Sequence, residues 1–251
     1  MHILLSNDDG IHAPGIAALY EAVRDLGEIT VAAPDSQKSA VGHAITISDP
    51  IKVMPVDKGN GFRGYAIGGT PADSVKLAVE ALLPHPPDLI ISGINLGPNA
   101  GISVIYSGTV SAATEGTILG IPSIAISINT FTEPRWATAA VVARDVANQV
   151  AREGLPPGIL LNVNVPNIPV EDVKGYTVTT MARSQFKEVF HRRTDPRGNL
   201  YYWMDGDMEL APGQTGTDVQ ALIAGHVSIT PLHFDLTSHA ALDSFRSRWN
   251  R

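Results

Sequence analysis

Residues 1–15 read MHILLSNDDGIHAPG. Residues 2–5 are a short apolar run, the pattern of a strand buried on both faces of a parallel sheet. Pro14 and Gly15 then open a helical pattern in which Ile16, Leu19, Val23 and Leu26 recur at helix spacing, with Gly27 as the stop. Residues 29–33 are a second apolar run, closed by Pro34. Strand, helix and strand in this order predict a parallel βαβ unit. Between the first strand and the helix stand Asn7, Asp8 and Asp9. Two adjacent carboxylates repel each other and suit neither a strand nor a helix interior, so something else has to offset their charge.

The alternation continues. Thr70-Pro71-Ala72-Asp73 has the form of a helix start, with Thr70 as cap, Pro71 at the first position and Asp73 completing a capping box. That helix is predicted to run to about residue 83, where prolines 84, 86 and 87 end it. Strands are predicted at 88–94, 123–128 and 159–165, and helices at 107–120 and 136–152. The fold class is α/β, a Rossmann-like three-layer arrangement around a mostly parallel sheet. After residue 165 the helical periodicity stops. Residues 176–181 alternate like a strand, and Gly198-Asn199 has the form of a hairpin turn. A helix at 218–224, a strand at 227–230 and an amphipathic helix at 238–249 close the chain. We therefore expect a core over 1–165 and, over 166–251, a hairpin extension with a C-terminal segment that completes the core.

Bulk composition narrows the function. The 251 residues include 44% hydrophobic and 17% charged, which suits a folded domain. A net charge of −7 argues against a general grip on nucleic-acid polymers. The absence of cysteine excludes disulfides, thiolate catalysis and cysteine zinc sites. No apolar run approaches the roughly 20 residues that span a bilayer, and no signal peptide is recognisable, so no membrane partner and a cytoplasmic location are expected.

In a parallel sheet, ligands gather where strands lead into loops at their carboxyl ends. Four such loops stand out: Asn7 to Gly10, residues 34–39 with Lys38 and Ser39, residues 95–99 with Asn95 and Asn99, and Ser107-Gly108-Thr109 at a helix start. Each alone has a plainer reading as a turn, an ordinary loop serine or an N-cap. Together they offer two carboxylates, a hydroxyl and an amide oxygen, hard donors that suit Mg²⁺ or Mn²⁺. A cation there would answer the repulsion between Asp8 and Asp9. The helix start adds N–H groups suited to phosphate, and cation plus phosphate points to phosphoryl chemistry. His12 and His43 lie near these loops, as solvated or core-edge residues or as proton carriers. Residues 183–197 carry five basic side chains against Glu188 and Asp195, and Tyr201, Tyr202 and Trp203 follow. The basic run reads as a solvated face or as a contact for a phosphate or a partner subunit, and the aromatic residues favour an interface or a surface for a flat ligand. The chain has no phosphate-loop or dinucleotide glycine motif and no nucleophile elbow.

These residues resemble the SurE family of metal-dependent nucleotide phosphatases. The resemblance is carried by LLSNDDGI (4–11), APDSQKSAVG (33–42), GTPADSVKLA (69–78), PDLIISGINLGPN (87–99) and YSGTVSAATEG (106–116). It continues in HRRTDPRGNLYYW (191–203), GTD (216–218) and SITPL (228–232). It implies a protruding β-hairpin, a swapped C-terminal segment and a dimer or tetramer built through them. It implies one divalent cation on Asp8, Asp9, Ser39 and Asn95, and a substrate or phosphate pocket at Ser107, Gly108, Thr109 and Asn99. The implied activity is hydrolysis of nucleoside 5′- and 3′-monophosphates, with short polyphosphate as a further substrate. Asp8 is the expected handler of the attacking water's proton, with Asn7 and Lys38 as the other catalytic candidates. The family loop usually reads N-R-S-G where Gln37-Lys38-Ser39-Ala40 stands here, so Lys38 keeps a positive charge but lacks the arginine fork. The alternatives are a non-catalytic nucleotide- or phosphate-sensing module and a phosphatase for another small phosphoester.

Overall fold

The computed structural model describes residues 1–249, with the side chains of residues 185, 186, 207, 208 and 210 left out of the description. Its strands in chain order are β1 (His2–Ser6), β2 (Glu28–Pro34), β3 (Val53–Asp57), β4 (Arg63–Ile67), β5 (Leu89–Leu96), β6 (Ser123–Asn129), β7 (Ile159–Pro166), β8 (Tyr176–Val178), β9 (Ser184–Thr194), β10 (Leu200–Leu210) and β11 (Val227–His233). Nine of them form one sheet in the order β3-β4-β2-β1-β5-β6-β7-β11-β8. The run from β4 through β7 is parallel throughout. The antiparallel pairings are β3 with β4 and β11 with β7.

Both faces of the central strands are covered. On one face Ile3, Leu5, Val31, Ile91 and Ile126 share a core with Ile16 and Leu19 of α1 (Pro14–Val23) and with Val142 and Val146 of α5 (Trp136–Glu153). On the other, Leu4, Ala32 and Ile90 meet Val75 of α2 (Pro71–Leu77) and Ala112 of α4 (Gly108–Ile118). Burial on both faces explains why these strands read as unbroken apolar runs. The predicted capping box is present: Thr70 Oγ1 accepts from Asp73 N–H (3.0 Å), and Asp73 Oδ2 accepts from Thr70 N–H (2.9 Å).

Several details depart from the sequence reading. β3 and β4 have no counterpart in it. β4 pairs with β2, and β3 lies outside it at the edge of the sheet; β3 is largely exposed, and its Pro55 is tolerated because an edge strand has one unpaired side. The helix expected to run to about residue 83 winds as a π-helix over Ala78–Leu82. Residues 103–106 form a further single turn, α3 (Ser103–Tyr106). β8 stops at Val178, and Thr180 makes only an isolated bridge to Thr217. The late elements α6 (Asp218–Ile223) and α7 (Leu242–Trp249) fall where helices were expected, α7 following a 3₁₀ turn.

β9 and β10 pair along their whole length as a two-stranded antiparallel arm. Its turn is closed by Asp195, whose Oδ1 accepts from the N–H groups of Arg197 and Asn199 (both 2.8 Å). Among the described residues no helix is long and apolar enough to cross a membrane.

One close approach sets the spacing between α1 and the strand that leads into the third loop. A Cβ on Gly15 would lie 1.9 Å from Ile94 O. Gly15→Ala is therefore expected to destabilise the fold by roughly 2 kcal/mol or more, overriding the ~1 kcal/mol that alanine ordinarily adds to a helix. Urea unfolding of the variant checks this, and an unchanged midpoint would contradict the close approach.

Candidate functional site

Parallel strands bring the four loops to one edge, and hydrogen bonds then join them. Asn7 is fully buried, and its amide closes on Gly10: Nδ2 donates to Gly10 O (3.0 Å) and Oδ1 accepts from Gly10 N–H (3.1 Å). Lys38 N–H donates to Asp8 O (2.7 Å), tying the second loop to the first. Asp9 Oδ2 accepts from Leu96 N–H (3.2 Å), tying the first to the third. Gln37 Nε2 donates to Ser39 Oγ (2.9 Å). Asp8 Oδ1 accepts from Thr109 Oγ1 (2.5 Å), which adds the start of α4. A Cβ on Gly108 would lie 2.7 Å from Asp8 Cβ, so only glycine lets the helix come this close. The register of β5 against β6 shifts between Ser92 and Asn95, a bulge that re-aims Asn95 at the strand end.

The electrostatics are strained. Asp8 is 5% exposed. Burial first and the Asp9 charge second push its carboxyl up to about 6, against the hydrogen bond from Thr109. Asp9 is also raised, by burial, against its bond from Leu96. Each group is held in an environment that disfavours its ionised form, and each supplies oxygen. Ser39 adds a hydroxyl. The Asn95 amide nitrogen donates to Gly97 O (2.7 Å), which leaves its Oδ1 for a cation. The donor chemistry fits Mg²⁺ or Mn²⁺. Among the described residues no group of three or more His, Cys, Asp or Glu is placed to hold a metal, so neutral oxygens would have to complete the set.

A cleft of about 500 Å³ opens over these loops. Asp8, Ser39, Asn95, Asn99 and Ser107 line it, as do Ile102, Ser103, Tyr106, Phe131, Glu188 and Met204. The size is that of a small organic ligand, for which pockets run from roughly 300 to 1,000 Å³. Asn7, Asp9, Lys38, Gly108 and Thr109 do not line it. Asn7, Gly108 and Thr109 are buried behind it, and the half-exposed Lys38 joins the cluster through its backbone N–H to Asp8. Ser107 Oγ accepts from Val110 N–H (3.0 Å) and so caps α4. His43 binds Glu115 through Nε2 (2.8 Å) and is not part of the cleft lining.

Sequence reasoning missed the support behind Asn99. Asn162 Nδ2 and Asn164 Nδ2 donate to Asn99 O (2.8 and 3.1 Å), Asn164 Oδ1 accepts from Asn99 N–H (2.8 Å), and Asn99 Nδ2 donates to Ser127 Oγ (2.8 Å). A signal existed: ILLNVNVP places two asparagines on one face of an otherwise apolar strand. For Phe131, Glu188 and Met204 there was none, because they reach the cleft only through tertiary folding.

The family model described as Survival protein SurE matches residues 3–188. The chain belongs to the SurE family. It is 47% identical to a 5′-nucleotidase SurE of Syntrophobacter fumaroxidans over 250 residues, covering all of both chains. It is 48% identical to one of Heliobacterium modesticaldum, covering 96% of this chain and 89% of that one. The crystal structure of the SurE protein from Aquifex aeolicus superposes with a TM-score of 0.85 at 42% identity, covering 98% of this chain and 99% of that one. The SurE match ends at residue 188, within β9, and the full-length relatives carry the likeness through the rest of the hairpin and tail. Ala40, next to Ser39, adopts a left-handed φ of 56°, which costs a residue with a Cβ about 1–2 kcal/mol.

The raised Asp8 carboxyl makes a prediction for metal-free protein. A carboxyl that binds its proton more tightly folded than unfolded loses stability as pH rises from the unfolded value of 3.8 through about 6. About two pH units correspond to about 3 kcal/mol. In chelator, Asp8→Asn is expected to lack this loss and to melt at a higher temperature than the wild-type chain at pH 8, with the two converging at pH 4. Thermal melts across that range check it.

Proposed function

We propose that this protein is a divalent-metal-dependent phosphomonoesterase that hydrolyses nucleoside 5′-monophosphates to nucleoside and phosphate. Nucleoside 3′-monophosphates and short polyphosphate are further substrates in this reading. The observation that carries it is the buried Asp8, bonded to the start of α4 and adjacent to the half-buried Asp9, in a cleft large enough for a nucleotide. The relatives named 5′-nucleotidase across the full length support the substrate class.

Asp8, Asp9, Ser39 and Asn95 would hold one Mg²⁺ or Mn²⁺, which when bound supplies a counter-charge for the carboxylates and a Lewis acid for a phosphoryl oxygen. Gly108 and Thr109, in the first turn of α4 behind the cleft lining, serve the phosphate pocket indirectly, Gly108 by letting the helix start approach Asp8 and Thr109 by its bond to that carboxyl. Ser107 and Asn99 line the same pocket and fix its shape. Lys38 contributes a positive charge on the adjoining loop. Asp8, at the end of β1 and on the cleft lining, accepts the proton of the attacking water. Asn7 acts as a positioning residue through its two bonds to Gly10. The nucleoside lies against Ile102, Tyr106, Phe131 and Met204. The protein works in the cytoplasm in this reading.

The test is phosphate release from nucleoside 5′- and 3′-monophosphates, sugar phosphates and short polyphosphate, each with Mg²⁺, with Mn²⁺ and with excess chelator. Chelator-sensitive release that favours nucleotides is expected, and Asp8→Asn should lower it by at least about a hundredfold while the fold survives. Asn95→Ala should weaken Mn²⁺ binding roughly tenfold or more. Nucleotide binding without release would move the reading to a sensing module, and a preference for sugar phosphates would move it to another phosphoester.

We also propose a homodimer or homotetramer built through the hairpin and the C-terminal tail. The division into a core over 1–165 and a completing segment over 166–251 belongs to the same proposal. Phe190, Tyr202 and Trp203 on the arm, and Leu236, Phe245 and Trp249 on the tail, are large and exposed. Side chains of this kind mark interfaces when they cluster. Light scattering behind size exclusion is expected to give two or four chain masses. Trp203→Ser combined with Phe190→Ser is expected to shift the protein toward one. A wild-type mass of one chain would refute the assembly.

A further inference from the structure

Asp218 is wholly buried and takes no part in the chemistry above. Its Oδ2 accepts from Gly101 N–H (2.8 Å), and its Oδ1 accepts from Ala182 N–H (2.9 Å) and Val219 N–H (2.8 Å). The three donors belong to three separate segments: the loop between β5 and α3 that carries Asn99, the root of the β9–β10 arm, and the first turn of α6. A second bond runs beside these, from Ile102 N–H to Ser184 Oγ (2.9 Å). The approach is close: a Cβ on Gly101, whose φ is 56°, would lie 2.3 Å from Ser184 Oγ. The two clamped segments are walls of the cleft. Ile102 and Ser103 line it from the loop, and Glu188 and Met204 line it from the arm.

We propose that Asp218 is a positioning residue that sets the geometry of the nucleoside half of the cleft by pinning the loop wall and the arm wall to one carboxylate. The proposal rests on the nucleotidase reading for its ligand. The metal half is joined by other bonds, among them Asp8 to Thr109 and Asp9 to Leu96, and none of these involves Asp218. Loss of the clamp should therefore weaken hold on the nucleoside without disturbing the chemistry at phosphorus. Replacing one carboxylate oxygen with an amide NH₂ turns a donor toward a backbone donor, so at least one wall is released.

The experiment compares wild type, Asp218→Asn and Ser184→Ala as full-length, Mn²⁺-loaded proteins. It measures KM and kcat for a nucleoside 5′-monophosphate and for glycerol 2-phosphate, which has no base, together with Mn²⁺ affinity by calorimetry. Asp218→Asn is expected to raise KM for the nucleotide roughly tenfold, the scale of one charge-assisted hydrogen bond. Its kcat, its activity on glycerol 2-phosphate and its Mn²⁺ affinity should stay within about twofold of wild type. Ser184→Ala should raise the same KM by about threefold and carries the test if Asp218→Asn does not fold. Equal losses on both substrates, a fall in kcat alone, or no change in either variant would each overturn the proposal. A wild-type protein that hydrolyses no nucleotide would refute the nucleotidase reading. The clamp would then be read from nucleotide binding to the Mn²⁺-loaded protein, with the same tenfold weakening expected in Asp218→Asn and its absence decisive.

Discussion

Two carboxyl groups on consecutive residues, one of them buried, carry charge together in this fold only at a cost in stability, which an external counter-charge would remove. The chain supplies partial relief. Thr109 donates a hydrogen bond to Asp8, and the start of α4 packs against it through Gly108. A helix N-terminus favours a nearby anion by about 0.3–1 kcal/mol, up to about 2 in partly buried geometry. Burial outweighs both, because the carboxyl remains raised to about 6. That imbalance is the physical case for a cation, and the other loops are arranged to serve it. Gln37 orients Ser39, Gly97 orients the Asn95 amide, and the backbone of Leu96 holds Asp9.

Most of the sheet was legible because its central strands are buried on both faces, which writes continuous apolar runs into the sequence. Helix starts were legible where side chains satisfy backbone donors, as Thr70 and Asp73 do. β3 was not, because an edge strand packs little and leaves no periodic signal, and β4 was not, because RGYAI is short and opens with Arg63 and Gly64 rather than with an apolar run. The site was legible as a set of loops, since parallel topology alone brings strand ends together. What each residue does within it was less so. The amide of Asn7, read as a catalytic group, is bonded at both ends to Gly10. Lys38 enters the cluster through its backbone. The hairpin's contribution to the cleft was invisible, since nothing in residues 184–210 records which surface the arm folds against.

In the proposed nucleotidase the cleft has two halves of different origin. The phosphate half comes from early loops fastened to one another, with glycine where α4 meets Asp8. The nucleoside half comes partly from α3 and the β6–α5 loop and partly from the arm, far along the chain. A long two-stranded arm with exposed Phe190, Tyr202 and Trp203 has little aliphatic packing to hold it against the domain. Hydrogen bonds at its root have to supply the position that packing does not. Buried polar networks hold geometry tightly when every member is satisfied and poorly when one is lost. The asparagines behind Asn99 and the carboxylate of Asp218 hold two sides of one loop: both Asp218 oxygens are bonded, whereas Asn162 Oδ1 has no partner among the described residues. In the proposed reading the stretch from Asn95 to Ile102 is common to both halves, with Asn95 and Asn99 toward the phosphate and Ile102 toward the nucleoside, so bonds that pin its far end bear on grip more than on chemistry at phosphorus.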